Sequence, residues 1–356
     1  MQSAWSADPR LKRYFDSAAG MPIHPAAREA MLRALDDLPG NAHSMHGWGL
    51  RARDAVEAVR ETAAEAIGAE SPDQITFTSG STEAAAWLVR MVPELAISPF
   101  EHSAVRAVAL AVGAKVLSSS GWETERPSTP GPMAHLAVHN ETGTVWHPEL
   151  MTDRDVLIDA TQALGKTDFQ VESAAAAFFS AHKLGGPLGI GMVYLRDGYL
   201  PALFEGEQEG GRRAGTLNVP GIVGFGAVLG HLPEIYEEWR AASMLGEEAL
   251  IEALTPTGAI RIGGSEKIPH ITAWMFEGVE GAAMVQALDE RGFAASAGAA
   301  CSSRTVEPSP SLLAAGFSEE HARSVIRASF LPWHSPDDAV ALGRAMCESA
   351  ESFRTR

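Results

Sequence analysis

The run FFSAHKLGGPLGIGMVYL, residues 178–195, governs how the rest of the chain is read. The apolar segment AAAAFF (174–179) enters it and GMVYL (191–195) leaves it, each of strand length and bounded by polar or glycine residues. Between them stand Ser180, His182 and Lys183, polar side chains at the end of a buried strand. Burial there is costly unless a ligand or partner uses them. The glycines that follow do not form a dinucleotide loop, which follows a strand and opens a helix; these lead into a strand. LGKT (164–167) ends like a phosphate loop, but the GxxxxGK[ST] pattern needs glycine at 160, where the chain has Ala160.

Working outward, strand-like runs alternate with helical patterns: QITFT (74–78), ELAIS (94–98), AKVLS (114–118), HLAVH (135–139), DVLID (155–159), then the two runs above. This alternation predicts an α/β fold with a mostly parallel sheet. In such sheets ligands gather at the carboxyl ends of strands. The polar groups fall there: TSGST (78–82), EHSA (101–104), HNETG (139–143), DATQ (159–162) and SAHK (180–183), which together predict one site. The stretch 118–133, rich in Pro, Ser and Gly, reads as an exposed loop. From about residue 233 a long charged helix and shorter elements predict a second, smaller α+β lobe.

Composition narrows the function. Net charge is −17, with 45 acidic against 28 basic residues, which argues against a general nucleic-acid binder. The 356 residues include two cysteines, Cys301 and Cys347, with no CxxC or Cys/His cluster of structural-zinc spacing. His43 and His46 lie three apart without a third ligand nearby, so no metal site is expected. No apolar run has bilayer length, and the opening MQSAWSADPRLKRYF lacks the apolar centre of a secretory signal; a cytoplasmic enzyme is expected.

TSGST joins a strand to a helix, an arrangement that can cradle an anion or simply cap the helix. A lysine at a strand exit can form a Schiff base with a carbonyl cofactor. Pyridoxal phosphate would need, besides Lys183, a phosphate cradle, a carboxylate for the pyridine nitrogen and a surface on the ring. TSGST with Ser180 and His182 would serve as the cradle, Asp159 as the carboxylate and His102 as the surface. Each residue taken singly has a structural reading; the combination favours the cofactor.

These motifs are in turn similar to those of a known family. YFDSAAGMPIHPAA, GNAHSMHGWG, ITFTSGSTEA, EHSAV, HNETG, IDATQALGK, FFSAHKLGGPLGIG, RRAGTLNVPGIVG, SAGAACSS and VIRASF run nearly end to end in an order that resembles the cysteine desulfurases of the NifS/IscS type, in the class V aminotransferase group of fold-type I pyridoxal-phosphate enzymes. The resemblance implies a large domain (15–232) around a mostly parallel seven-stranded sheet. It also implies a smaller α+β domain (1–14 and 233–356) carrying a catalytic cysteine loop. It implies that Lys183 bonds covalently to the cofactor, that Asp159 pairs with the pyridine nitrogen and Gln162 with the phenolic oxygen, and that His102 stacks on the ring and relays protons. Gly80, Ser81, Thr82, Ser180 and His182 would hold phosphate, and Thr216 would reach it from a neighbouring subunit, implying a homodimer with shared sites. Asn140 and Arg327 would hold the substrate carboxylate, a task that suits the arginine fork.

By the same resemblance Cys301 is the sulfur acceptor: its thiolate attacks the sulfur of L-cysteine, leaving L-alanine and a persulfide for transfer to an acceptor protein or small molecule. By itself a free cysteine would read as a small buried hydrophobe, the reading kept for Cys347. The absence of an RxGHHC-like pattern resembles the NifS/IscS subgroup. TEAAAW stands where the family has TESDN or TESNN, HNETG where it has NNEIG, and the ending ESFRTR suggests no C-terminal extension for engaging an iron–sulfur scaffold. The alternatives are a selenocysteine lyase, a C–S β-lyase of the same fold, or a catalytically weak partner or scaffold protein.

Overall fold

In the computed structural model of the chain, the described residues are 8–127, 130–197, 199, 201–298 and 307–354. Helices α1 (Pro25–Asp37) and α2 (Gly47–Ile67) precede strand β1 (Ile75–Thr78), followed by α3 (Ser81–Met91), β2 (Ala96–Ile97), α4 (Ser103–Val112) and β3 (Lys115–Val116). A small hairpin, β4 (Ser119–Ser120) and β5 (Glu123–Thr124), leads to β6 (Met133–Leu136), β7 (Val156–Asp159), β8 (Ala176–Ser180) and β9 (Gly191–Leu195). Next come α5 (Val219–Leu229), α6 (Leu232–Leu254), β10 (Ile260–Ile262), β11 (Ile271–Met275), α7 (Gly281–Glu290) and β12 (Ser296–Ala297). Short helices α8 (Pro310–Ala314) and α9 (Glu319–Arg323), strand β13 (Val325–Ser329) and α10 (Pro336–Arg354) complete the described chain.

The expected sheet forms. Among the described residues it has seven strands in the order β1-β9-β8-β7-β6-β2-β3, parallel except for β9, which runs antiparallel to both neighbours. The reason lies in the opening motif. Parallel neighbours need a long crossover, whereas 181–190 holds only one 3-10 turn and the chain folds straight back. Both faces of the sheet are covered, which is why its strands read as unbroken apolar runs. Ile158 and Phe179 pack with α2 and α5 on one face, while Leu157 and Phe178 pack with α3 on the other.

A second, antiparallel sheet (β10-β11-β13-β12) packs on α6, α7 and α10 around Trp274, Ile326 and Phe330. Residues 14–18 tie the two sheets together. Phe15 lies in the second core, Asp16 bridges Ser329, and the Ala18 amide donates to Ser329 Oγ at 2.9 Å. The chain therefore carries Ala18 and Ala19 from the small sheet to the mouth of the large one.

The stretch 118–133 is largely exposed, as expected of a loop, but it is more ordered than a plain loop. It holds the β4–β5 hairpin, and Trp122 stacks on Phe100 with ring centroids 5.7 Å apart. Thr124 Oγ1 lies 3.0 Å from both Ser98 Oγ and His135 Nε2. Its small polar composition hid one anchoring tryptophan. The last 133 position also belongs to β6, whose ladder ends at Leu136, so most of HLAVH is strand exit rather than strand.

Candidate active site

The polar strand exits converge on one cavity of about 450 Å3. Its lining includes Gly80, Ser81, Thr82, His102, Asn140, Asp159, Gln162, Ser180, His182, Lys183 and Arg327, most of the residues singled out in the sequence. Thr216 is exposed and lies outside it. Cys301 falls outside the described residues. Cys347 sits on α10 against the second core, its thiol pushed up by burial.

One corner is built to receive an anion. Helix α3 starts at Ser81 with Gly80 as its cap, and among the described residues no side chain caps its first turn. Such amides carry partial positive charge and point along the helix axis. Gly191 makes the corner compact: it pairs with Thr78 on one side and Ser180 on the other, bringing the exits of β1 and β8 together. A Cβ at Gly191 would stand 2.5 Å from the Phe179 carbonyl and 2.7 Å from Gly80 Cα. Ser180 Oγ lies 2.8 Å from His182 Nδ1, and burial, then Lys183 and Lys166, push His182 down to about 4. Glu83, in the first turn, accepts from the Ser79 amide at 3.0 Å and from Arg213 Nε at 2.7 Å, fastening the RRAGT segment to this loop.

Across the cavity stand a lysine and a carboxylate. Lys183 Nζ donates to the carbonyls of Ala18 and Ala19 at 2.7 and 2.8 Å. Asp159 Oδ1 accepts from the Thr161 amide at 3.0 Å. Burial raises the Asp159 carboxyl above its ordinary range, opposed by Thr161, His102 and Lys183. His102 caps α4, Nδ1 accepting from the Ala104 amide at 3.1 Å, so the neutral ring carries its proton on Nε2. Burial lowers its pKa, Asp159 pulls it back up, and Lys183 and Arg327 push it down again.

The third wall comes from the small sheet. Arg327, on β13, donates from Nη2 to Asp16 Oδ1 at 2.6 Å and from Nη1 to the Asn140 carbonyl at 2.9 Å. Ser296 Oγ also donates to Asp16 Oδ1, at 2.8 Å. Arg327 is buried, yet its Nε has no partner among the described residues. A fork held at two donors with a third left over suits a planar carboxylate.

Several buried or half-buried polar groups here escaped the sequence reading. Asp16 sits in YFDSAAG and Glu101 directly precedes His102, but nothing local marks either as a site residue. Burial, then Asp159, raises Glu101 well above the usual carboxylate range, with the Leu136 amide working against it. Glu141, next to Asn140, accepts from Ser309 Oγ at 2.9 Å, and burial lifts it to about 7. His139, at the family's asparagine position, is buried between Trp122 and Trp146 and pushed down to about 3 by burial, His102 and Arg327. Two of the alanines of TEAAAW are also explained: Ala84 and Ala85, with Trp87, are fully buried in the core beneath the sheet. No helix among the described residues is long and apolar enough to cross a membrane.

Comparison with known proteins agrees with this geometry. Residues 13–342 match the family described as Aminotransferase class-V. The cysteine desulfurase IscS of Anaeromyxobacter sp. (strain Fw109-5) is 33% identical over 387 residues, covering 97% of this chain and 94% of its own. A solved NifS-like protein superposes with a TM-score of 0.84 at 27% identity, covering 94% of this chain and 98% of that one. The structure of SspA in complex with cysteine gives a TM-score of 0.76 at 28% identity, covering 90% and 99%. The chain therefore belongs to the aminotransferase class-V family, among its cysteine desulfurases of the NifS/IscS type.

Proposed function

We propose that this protein removes sulfur from L-cysteine with pyridoxal phosphate, giving L-alanine and a persulfide on Cys301. The observation that carries the reading is the meeting of Lys183, the buried Asp159 carboxylate and the uncapped N-terminus of α3 in one cavity. That donor set fits the cofactor. The first-turn amides of α3 with Thr82, Ser180 and His182 would take its phosphate, Asp159 its ring nitrogen, Gln162 its phenolic oxygen and Lys183 its aldehyde carbon. Bound there, pyridoxal phosphate supplies an electron sink that acidifies the substrate Cα–H and loosens the Cβ–S bond. A related structure holding cysteine supports that amino acid as substrate.

The chain's own groups then divide the work. Arg327 and Asn140 hold the substrate carboxylate, presenting the Cα–H to the Lys183 amine, which takes the proton and later returns it. His102, neutral and fixed by its cap, offers Nε2–H on the cofactor side and shuttles the proton that substrate binding releases. The Cys301 thiolate attacks the substrate sulfur, its electron pair forming the S–S bond. The C–S pair stays on carbon and takes up a proton, so alanine leaves and no outside oxidant is consumed. Thr216, exposed and beyond its own cavity, would complete the phosphate corner of a second subunit, which makes a homodimer part of the proposal.

Product analysis with L-cysteine and a thiol reductant tests it, comparing wild type with Cys301→Ser. Alanine and sulfide from the wild type, lost in the variant, are expected. Pyruvate and ammonia from both would mean β-elimination, with Cys301 a bystander.

A further inference from the structure

Lys166 lies four residues beyond Gln162 in a run of turns and is only 3% exposed. No carboxylate among the described residues pairs with it, an expensive state for a lysine unless something uses its donors. Its Nζ donates to Gln162 Oε1 at 2.7 Å and sits 5.0 Å above the Trp239 ring. Trp239 is itself fixed, Nε1 donating to the Phe330 carbonyl at 2.7 Å. With Oε1 taken, the Gln162 amide has one orientation: Nε2 faces Ala18, donating to its carbonyl at 2.9 Å. That same carbonyl receives Lys183 Nζ at 2.7 Å. A continuous relay thus runs from Lys166 through Gln162 and the Ala18 carbonyl to Lys183.

We propose that Lys166 is a positioning residue that locks the Gln162 amide with its N–H side toward the site, so that Gln162 donates to the cofactor's phenolic oxygen and holds the Lys183 anchor in place. Without Lys166 only the Ala18 carbonyl orients the amide, and a flip would present a carbonyl oxygen to an anionic phenolate. The inference rests on the cofactor reading above. Burial and the nearby Lys183 keep the Lys166 ammonium easy to discharge, consistent with a group held for its donors rather than for an ion pair.

The test uses full-length apoprotein titrated with pyridoxal phosphate, reading the dissociation constant and the pH midpoint of the bound cofactor's visible band. Lys166→Met is expected to weaken binding about tenfold and raise the midpoint by about one unit, the size of one hydrogen bond to a charged oxygen. Lys166→Gln, which keeps an N–H donor, restores most of both. In a Gln162→Leu background, Lys166→Met adds nothing. A changed melting temperature with unmoved midpoint and affinity would leave Lys166 as mere packing and overturn the inference. So would an equal effect of Lys166→Met with and without Gln162. If Lys166→Met does not fold, Lys166→Gln decides: a near-wild-type midpoint sustains the inference, and one displaced as in Gln162→Leu ends it. Wild-type apoprotein that takes up no pyridoxal phosphate refutes the cofactor reading and this inference together; uptake with an unaffected Lys166→Met refutes the inference alone.

Discussion

Two buried arginines of this protein are held in opposite ways. Arg60 meets Glu209 through a double contact, Nη2 to Oε1 at 2.8 Å and Nη1 to Oε2 at 3.0 Å. Its other donors go to the Ile75 carbonyl at 2.8 Å and to Glu57 at 3.0 Å, and Glu209 also accepts the Phe77 amide at 2.6 Å. Arg327 meets Asp16 through a single oxygen and keeps Nε unpartnered among the described residues. The first arrangement is closed, with every polar group satisfied inside the fold, and anchors β1 beneath the anion corner. The second is left incomplete, with one buried donor unpaired, beside the cavity that holds Lys183 and Asp159. A buried charge with a spare donor calls for an explanation, which the proposed carboxylate site supplies, whereas complete pairing calls for none.

The comparison can be broken at its strongest point first. Arg60→Met leaves the Glu209 carboxylate buried without its partner and should lower stability by about 3–5 kcal/mol. Urea unfolding measures this, and a loss under about 1 kcal/mol would show that the pair is not closed as described.

Glu141 tests the open side through pH. Its folded pKa of about 7 lies above the ordinary 4.5. Its contribution to stability is therefore fully present below the unfolded pKa and lost as pH rises through about 7. Glu141→Gln, which mimics the protonated acid, should be more stable than wild type above neutral pH by an amount on the order of 3 kcal/mol, the difference fading toward acid. Parallel stability profiles for the two proteins would remove Glu141 from the account.

Arg327→Met should raise the cysteine KM by about a hundredfold, the loss of a charge-assisted fork, with a smaller change in kcat. A stability loss as large as that of Arg60→Met, with KM unmoved, would class Arg327 as scaffold too. Asp16→Asn is expected to have the smallest effect, a rise in KM of about fivefold as the fork loses its orienting charge. A fall in KM would instead reveal Asp16 as a competitor for the substrate carboxylate.

Much of the cavity wall built from strand exits was legible in the sequence because its signals are local. SAHK after an apolar run, TSGST between strand and helix, and Asp159 at the end of VLID each combine a polar exit with a buried strand, and strand order does the rest. The hairpin inside 118–133 was not legible, since its short polar residues resemble any loop and Trp122 is anchored from other segments, by stacking on Phe100 and by the Trp146 indole donating to its carbonyl. Nor was the Arg60–Glu209 pair: 149 positions separate its members, and in the sequence each looks like a solvated charge. Lys166 reads as the tail of a failed phosphate-loop pattern until Trp239 and Gln162 close around it.

The sequence by itself determined the alternating α/β plan, the parallel sheet and the polar groups at its strand exits. Periodicity and strand-end chemistry depend on neighbours along the chain, and those are written in order. The tertiary structure alone decided which charges are satisfied and which are left open. Asp16 and Arg327, 311 positions apart, meet only because residues 14–18 cross from the small sheet to the large one beside β13. The energy of a buried charge depends on what surrounds it in space, and only the folded chain supplies those surroundings.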